Sequence, residues 1–62
     1  MNYDEDEAVS TIKSVEGVTY SLIDGLREQG LDEDILDKAE SNFNSCFKSI
    51  YEAVALKALE SN

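Results

Sequence analysis

The sequence predicts an all-α protein, an antiparallel hairpin of two helices that self-associates into a dimeric four-helix bundle. Three observations lead to this fold class. The 62-residue chain contains no proline, its apolar residues recur at helical spacing, and Gly30-Leu31-Asp32 is the one clear break in that spacing. A single small domain, residues 1–62, buries too little surface to be very stable alone, so we expect a second copy to complete the core.

The first helix is predicted over about residues 5–29. Asp4 is placed to be its N-cap, and Glu7 follows at the spacing of a capping box. Spacings that alternate between four and three then define a heptad-type seam: Ala8, Ile12, Val15, Thr19, Leu22 and Leu26. Val9, Val18 and Ile23 widen the apolar stripe. Gly25 lies beside the seam, where a close approach of two helices would explain a glycine.

The turn is predicted from three consecutive residues. Gly30 suits the C′ position, where a left-handed backbone ends a helix without a Cβ clash. Asp32 suits the N-cap of the next helix. Leu31 lies between them and can contact an apolar residue of each helix, so we expect it to be partly buried.

The second helix is predicted over about residues 32–59. The seam on this helix consists of Leu36, Ala39, Phe43, Cys46, Ile50 and Ala53, with Ile35, Phe47, Tyr51, Val54 and Ala58 alongside. Residues 41–45 are poor helix formers and could kink the helix. Without glycine or proline there, one continuous helix is the preferred prediction.

The segment 30–47 resembles the turn and second helix of the large-subunit hairpin of transcription factor IIA. The resemblance rests on the run from Gly30 to Leu36 and on Ala39, Phe43 and Phe47 after it. It implies a hairpin that enters a four-helix bundle with a second subunit. The β-forming part of that family has no counterpart in this chain.

Composition excludes several classes of function. The net charge of −9 argues against direct binding of nucleic acid and against docking on anionic membranes. With no histidine and one cysteine, the sequence offers no convincing catalytic site, cofactor site or metal site. Cys46 is expected to be a core thiol, because it lies on the seam. The acidic N-terminal residues do not resemble a signal peptide, so we expect a cytoplasmic protein.

The function predicted is therefore that of a small acidic protein-binding module, a regulator or inhibitor of a more basic protein. A structural subunit of a larger helical assembly is the alternative, and an acidic DNA mimic is a third hypothesis. Candidate partner-binding residues are the apolar stripe on the second helix and the acids around the turn: Phe43, Phe47, Tyr51, Val54, Glu28, Asp32, Glu33, Asp34 and Asp37. Core packing is the usual explanation for such an apolar stripe, and an exposed face that anchors a partner is the alternative.

Overall fold

Two helices make up the fold. The structure, a computed structural model, describes residues 3–61. Helix α1 spans Glu5–Glu28 and helix α2 spans Glu33–Ser61, and no strand occurs within the described range. The predicted helices, about 5–29 and 32–59, differ from these only at their ends. Helix α2 runs through residues 41–45 without interruption, so the continuous helix was the correct prediction.

The N-terminus of each helix is capped by an aspartate. The Asp4 carboxylate accepts a hydrogen bond of 3.1 Å from the backbone N–H of Glu7. The Asp32 carboxylate accepts one of 3.0 Å from the backbone N–H of Ile35. Both predicted N-caps are therefore confirmed, and each satisfies a backbone donor that the helix itself leaves unpaired.

The turn closes α1 with a Schellman motif. The Gly30 N–H donates to the Arg27 carbonyl at 3.1 Å, and the Leu31 N–H donates to the Leu26 carbonyl at 3.4 Å. Gly30 has φ +84°, the left-handed conformation that the sequence predicted for it. Leu31 is less buried than expected, with 44% of its surface exposed.

The two helices pack antiparallel along their length. Glu16 contacts Tyr51, Tyr20 contacts Phe47, and Arg27 contacts Glu40, so early residues of α1 lie beside late residues of α2. The core is thin. Within the described residues, the buried apolar side chains are Ile12, Ile23, Leu36 and Phe47.

The predicted seams coincide with this contact only in part, since Ile12 and Leu36 are buried but other seam residues are not. Val15 and Leu22 retain 51% and 54% of their surface, and Cys46, Ile50 and Ala53 are exposed as well. Each helix is rotated so that Ile12 and Ile23 on α1 meet the side of α2 that carries Leu36 and Phe47. The rotation brings long polar side chains of the two helices within bonding distance along one edge of the contact.

Gly25 does not mark a close approach between the two helices of the hairpin. A Cβ added to Gly25 would meet no atom within 4 Å, and the same holds for Gly17. Neither glycine is required by the packing of the single chain.

Candidate protein-binding surface

The apolar candidates on α2 line its contact with α1. Phe47 is buried, with 7% exposure, and its ring centroid lies 6.2 Å from that of Tyr20. Phe43, Tyr51 and Val54 are half-buried on the same side of α2. The Val54 carbonyl accepts a hydrogen bond of 3.4 Å from the Tyr3 hydroxyl. The hairpin thus uses this stripe for its own core, and Phe47 is not available to a partner in the folded chain.

The acidic candidates surround the turn and are exposed: Glu28, Asp32, Glu33, Asp34 and Asp37. Asp32 is used locally as the cap of α2. Glu33 and Asp37 form ion pairs with Arg27. Glu28 and Asp34 are the two members whose carboxylates take part in neither the cap nor the Arg27 pairs.

Arg27 is the centre of an ion-pair network that joins the helices near the turn. Its Nη2 atom lies 3.0 Å from an Asp37 oxygen and 3.2 Å from a Glu40 oxygen, both on α2. Asp24 and Glu33 lie at 3.5 Å and 3.6 Å. The hydrogen bond to Glu40 is the main reason that the pKa of Arg27 is raised above its ordinary value. This network compensates part of the acidity at the turn.

Two further polar bonds cross between the helices. The Tyr51 hydroxyl donates to the Glu16 carboxylate, and the Tyr20 hydroxyl donates to the side-chain oxygen of Asn44. Together with the Arg27 network, these bonds follow one edge of the helix contact. Side chains along the other edge of the helix contact therefore lie on the opposite side of the hairpin.

That opposite side is apolar, and we refer to it as the apolar face. It consists of Val15, Val18 and Leu22 on α1 and Ile35, Cys46 and Ile50 on α2. The exposed fraction reaches 72% at Val18 and 66% at Ile35. Six further positions on the same side are uncharged: Ala8, Thr11, Gly25, Ala39, Asn42 and Ala53. Lys57 continues this side of α2 one turn beyond the last of them.

Helical geometry places both halves of the apolar face on the same side. An α-helix turns by about 100° per residue, so Val15, Val18 and Leu22 lie roughly 90° around α1 from the buried Ile12 and Ile23. The residues of the face on α2 are offset by a similar angle from Leu36 and Phe47. On both helices the exposed stripe is rotated from the buried stripe in the same sense, viewed from the N-terminus to the C-terminus of the helix. Because the helices are antiparallel, the two exposed stripes lie on the same side of the hairpin.

Sequence reasoning did not identify this surface as the exposed one. It assigned Val15, Leu22, Cys46 and Ile50 to the seam and placed Cys46 in the core. Within the single chain, Cys46 is exposed on the apolar face and does not lie in the core of the hairpin, contrary to the prediction. A signal for the face was present in the spacing of Val15, Val18 and Leu22, which repeats at three and four residues.

Other surface features carry less information. Leu56 and Leu59 are exposed near the end of α2 but lie outside the apolar face. Among residues 3–61, no cluster of three or more side chains is arranged to hold a metal ion. Neither helix in that range combines the length and apolar character needed to cross a membrane.

Comparisons with known proteins add no relative. The chain matches no protein-family model, no curated protein and no solved structure. The resemblance of residues 30–47 to the transcription factor IIA hairpin therefore stays an interpretation of that segment.

Proposed function

We propose that this chain is a non-enzymatic protein-binding module that works as a dimeric four-helix bundle and regulates a more basic protein. The observation that carries the proposal is the apolar face, to which both helices contribute on the same side of the hairpin. Val18 at 72% exposure and Ile35 at 66% are unusual for large aliphatic side chains that share one surface. An apolar surface to which two helices contribute in this way is typical of an interaction site.

The angle between the two apolar stripes of each helix favours a bundle of four helices. In a bundle with a square cross-section, each helix has two neighbours about 90° apart. The stripe that packs in the hairpin and the exposed stripe are separated by roughly this angle. The predicted heptad seams lie between the two stripes, in the direction of the centre of such a bundle.

The acidic residues favour a basic protein as the regulated partner. Residues 24–40 hold seven acids and two bases, a net charge of −5. They lie at the turn, at one end of the hairpin and outside the apolar face, so they stay exposed when that face is covered. A concentrated charge of one sign attracts a partner of the opposite sign and accelerates its association. A cytoplasmic location is part of the same proposal.

Two measurements test the proposal. Sedimentation equilibrium at micromolar concentration should give twice the chain mass, and a well-folded single chain would contradict the dimer. Affinity capture from the native host should then recover a basic protein that elutes as salt rises, because screening weakens exposed charge pairs.

The acids around the turn can be tested with a matched pair of variants. Replacing Glu28 and Asp34 by Gln and Asn removes two charges without disturbing the cap or the Arg27 pairs, and should weaken the captured complex. The same removal at Glu5 and Asp6, at the other end of the hairpin, is the control. An equal loss of affinity for the captured protein in both variants would indicate non-specific attraction by net charge.

A structural subunit of a larger helical assembly is the second candidate. It is favoured by the same apolar face, because a hairpin from a different protein could supply the other two helices. A chain that is unfolded alone and gains helix only with a partner protein would support this candidate. The DNA-mimic hypothesis is less well supported, because residues 14–23 and 41–50 contain one acid and one base and so interrupt any acidic track.

A further inference from the structure

We infer that the apolar face is the surface on which a second copy of this chain docks, with the turns of the two hairpins at the same end of the bundle. The inference rests on the proposed self-association. It adds which residues meet and how the two copies are oriented. Size, charge and the positions of the side chains along the hairpin each contribute to the argument.

The length and width of the hairpin favour a second hairpin as the occupant of the apolar face. The whole side to which both helices contribute measures 47 × 16 Å, and the apolar face is the part of it that runs from Val15 on α1 to Ile35 on α2. A standard interface buries about 800 Å² per partner, so a dimer of that size must use most of this side. A second hairpin of equal length covers the entire face, whereas a single partner helix would leave part of it exposed.

The distribution of charge permits two copies to approach although each carries −9. Residues 14–23 and 41–50, which hold most of the apolar face, contain only Glu16 and Lys48 as charged residues and are neutral overall. The excess acid lies towards the two ends of the hairpin. In physiological salt, charges are screened over about 8 Å, so acids at the ends act weakly on the middle of the interface.

The contacts within the hairpin determine which residues of α1 and α2 on the apolar face lie at the same position along the length of the hairpin. Such residues are said to share a level. With Glu16 beside Tyr51 and Tyr20 beside Phe47, the same register places Val18 level with Ile50 and Leu22 level with Cys46. Val15 is level with Ala53. The large side chains of α1 therefore share their levels with smaller ones of α2 at two of these three positions.

A two-fold axis parallel to the helices keeps each residue at its own level. Helix α1 of one copy then lies on α2 of the other, with Leu22 opposite Cys46, Val18 opposite Ile50 and Val15 opposite Ala53. At two of these three levels a larger side chain meets a smaller one, which favours close packing. The apolar levels of one copy thus meet the apolar levels of the other.

The opposite orientation, with the turn of one copy beside the termini of the other, matches the levels less well. Ile35, close to the turn, would then lie near the acidic start of α1, which includes Asp4 and Glu7. Net charge hardly distinguishes the two orientations. In each copy the turn end carries −5, the neutral middle carries no net charge, and the end with the termini carries −4. With the turns at the same end, the two ends of the dimer carry −10 and −8. In the opposite orientation each end carries −9. Packing of the apolar levels therefore decides the orientation.

Sedimentation equilibrium of a matched pair of variants tests the surface. Val18→Glu places a charge on the apolar face, and Ala55→Glu places the same charge on an exposed position of α2 on the other side of the hairpin. We expect the wild-type chain and Ala55→Glu to have twice the chain mass and Val18→Glu to have the chain mass. If Val18→Glu loses its helical circular dichroism, Val18→Ala replaces it and should raise the dissociation constant about tenfold.

The outcomes separate this inference from the proposed function. A wild-type chain of single mass overturns the self-association itself. A wild-type dimer that survives Val18→Glu, and tolerates Val18→Ala without a change in dissociation constant, overturns the choice of surface and leaves the proposed function intact.

Spin labels at the turn test the orientation. Gln29→Cys in a Cys46→Ser background gives one label on an exposed residue whose side chain has no role in the cap. With the turns at the same end, double electron-electron resonance should give a distance of about 25 Å or less. A distance of about 40 Å, close to the 47 Å length of the hairpin, would overturn the orientation.

Discussion

The hydroxyl of Tyr51 on α2 donates to the carboxylate of Glu16 on α1, on the side of the hairpin opposite the apolar face. This bond requires the protonated phenol. It is the main reason that the pKa of Tyr51 is raised above the ordinary value of 10.0, and burial of the phenol contributes in the same direction. Folding is thereby linked to the protonation of one tyrosine.

The linkage predicts a loss of stability at alkaline pH. Because the folded chain holds the Tyr51 proton more tightly than the unfolded chain, the stabilisation is complete below pH 10 and is lost as the pH rises through the folded value. Thermal melts followed by circular dichroism between about pH 9 and pH 12 should show this fall. Tyr51→Phe should flatten it, and an equally steep fall in the variant would assign the effect to other groups.

Phe47 and Phe43 should differ in their contribution to stability. Phe47 is 7% exposed and packs against Tyr20, whereas Phe43 is half-buried. Phe47→Ala is expected to lower the free energy of unfolding by about 3–5 kcal/mol, the usual cost of removing a buried aromatic side chain. Urea denaturation at one fixed protein concentration compares the two variants. A larger loss for Phe43→Ala would show that self-association buries Phe43 more deeply than the hairpin buries Phe47.

The glycines provide a contrast between two backbone conformations. Gly17 lies inside α1 with open space around its Cα, so Gly17→Ala should raise the free energy of unfolding by about 1 kcal/mol. Gly30 has φ +84° and equally open space, and Gly30→Ala should lower the same free energy by about 1–2 kcal/mol. Chemical denaturation of both variants measures the difference. Destabilisation by Gly17→Ala would show that Gly17 lies in a contact between chains.

Arg27 should matter most at low ionic strength. Four carboxylates lie within 3.6 Å of its guanidinium group, and all of them are largely solvent-exposed except that of Glu40. Arg27→Gln should lower the melting temperature in 10 mM salt and have a smaller effect in 0.5 M salt, since exposed ion pairs are screened. Lys38→Gln, which removes the other positive charge near the turn, is the control. Equal effects at both salt concentrations would assign the loss to packing of the Arg27 side chain.

Features that depend on neighbouring residues were predicted correctly from the sequence. Asp4, Gly30 and Asp32 have the capping positions that their types and spacing indicated, because a cap involves only a few consecutive residues. The two helices and the turn between them follow from the same local rules.

The orientation of the helices could not be predicted in this way. The heptad pattern identified a stripe on each helix, but it does not specify which edge of the stripe faces the other helix of the hairpin. The polar bonds of Tyr51, Tyr20 and Arg27 join residues that are distant in sequence, and the spacing of apolar residues does not predict them. Cys46 was placed in the core for this reason, although it lies on the exposed side.

The turn at Gly30 also has a kinetic consequence. Helices α1 and α2 are joined by this one short turn, so no long loop has to be ordered before the two helices can pack. Proteins whose contacts are mostly between residues close in sequence fold within microseconds to milliseconds. No proline is present to slow refolding by isomerisation. If two hairpins associate as proposed, a slow phase in refolding should depend on protein concentration, and its rate would report their encounter.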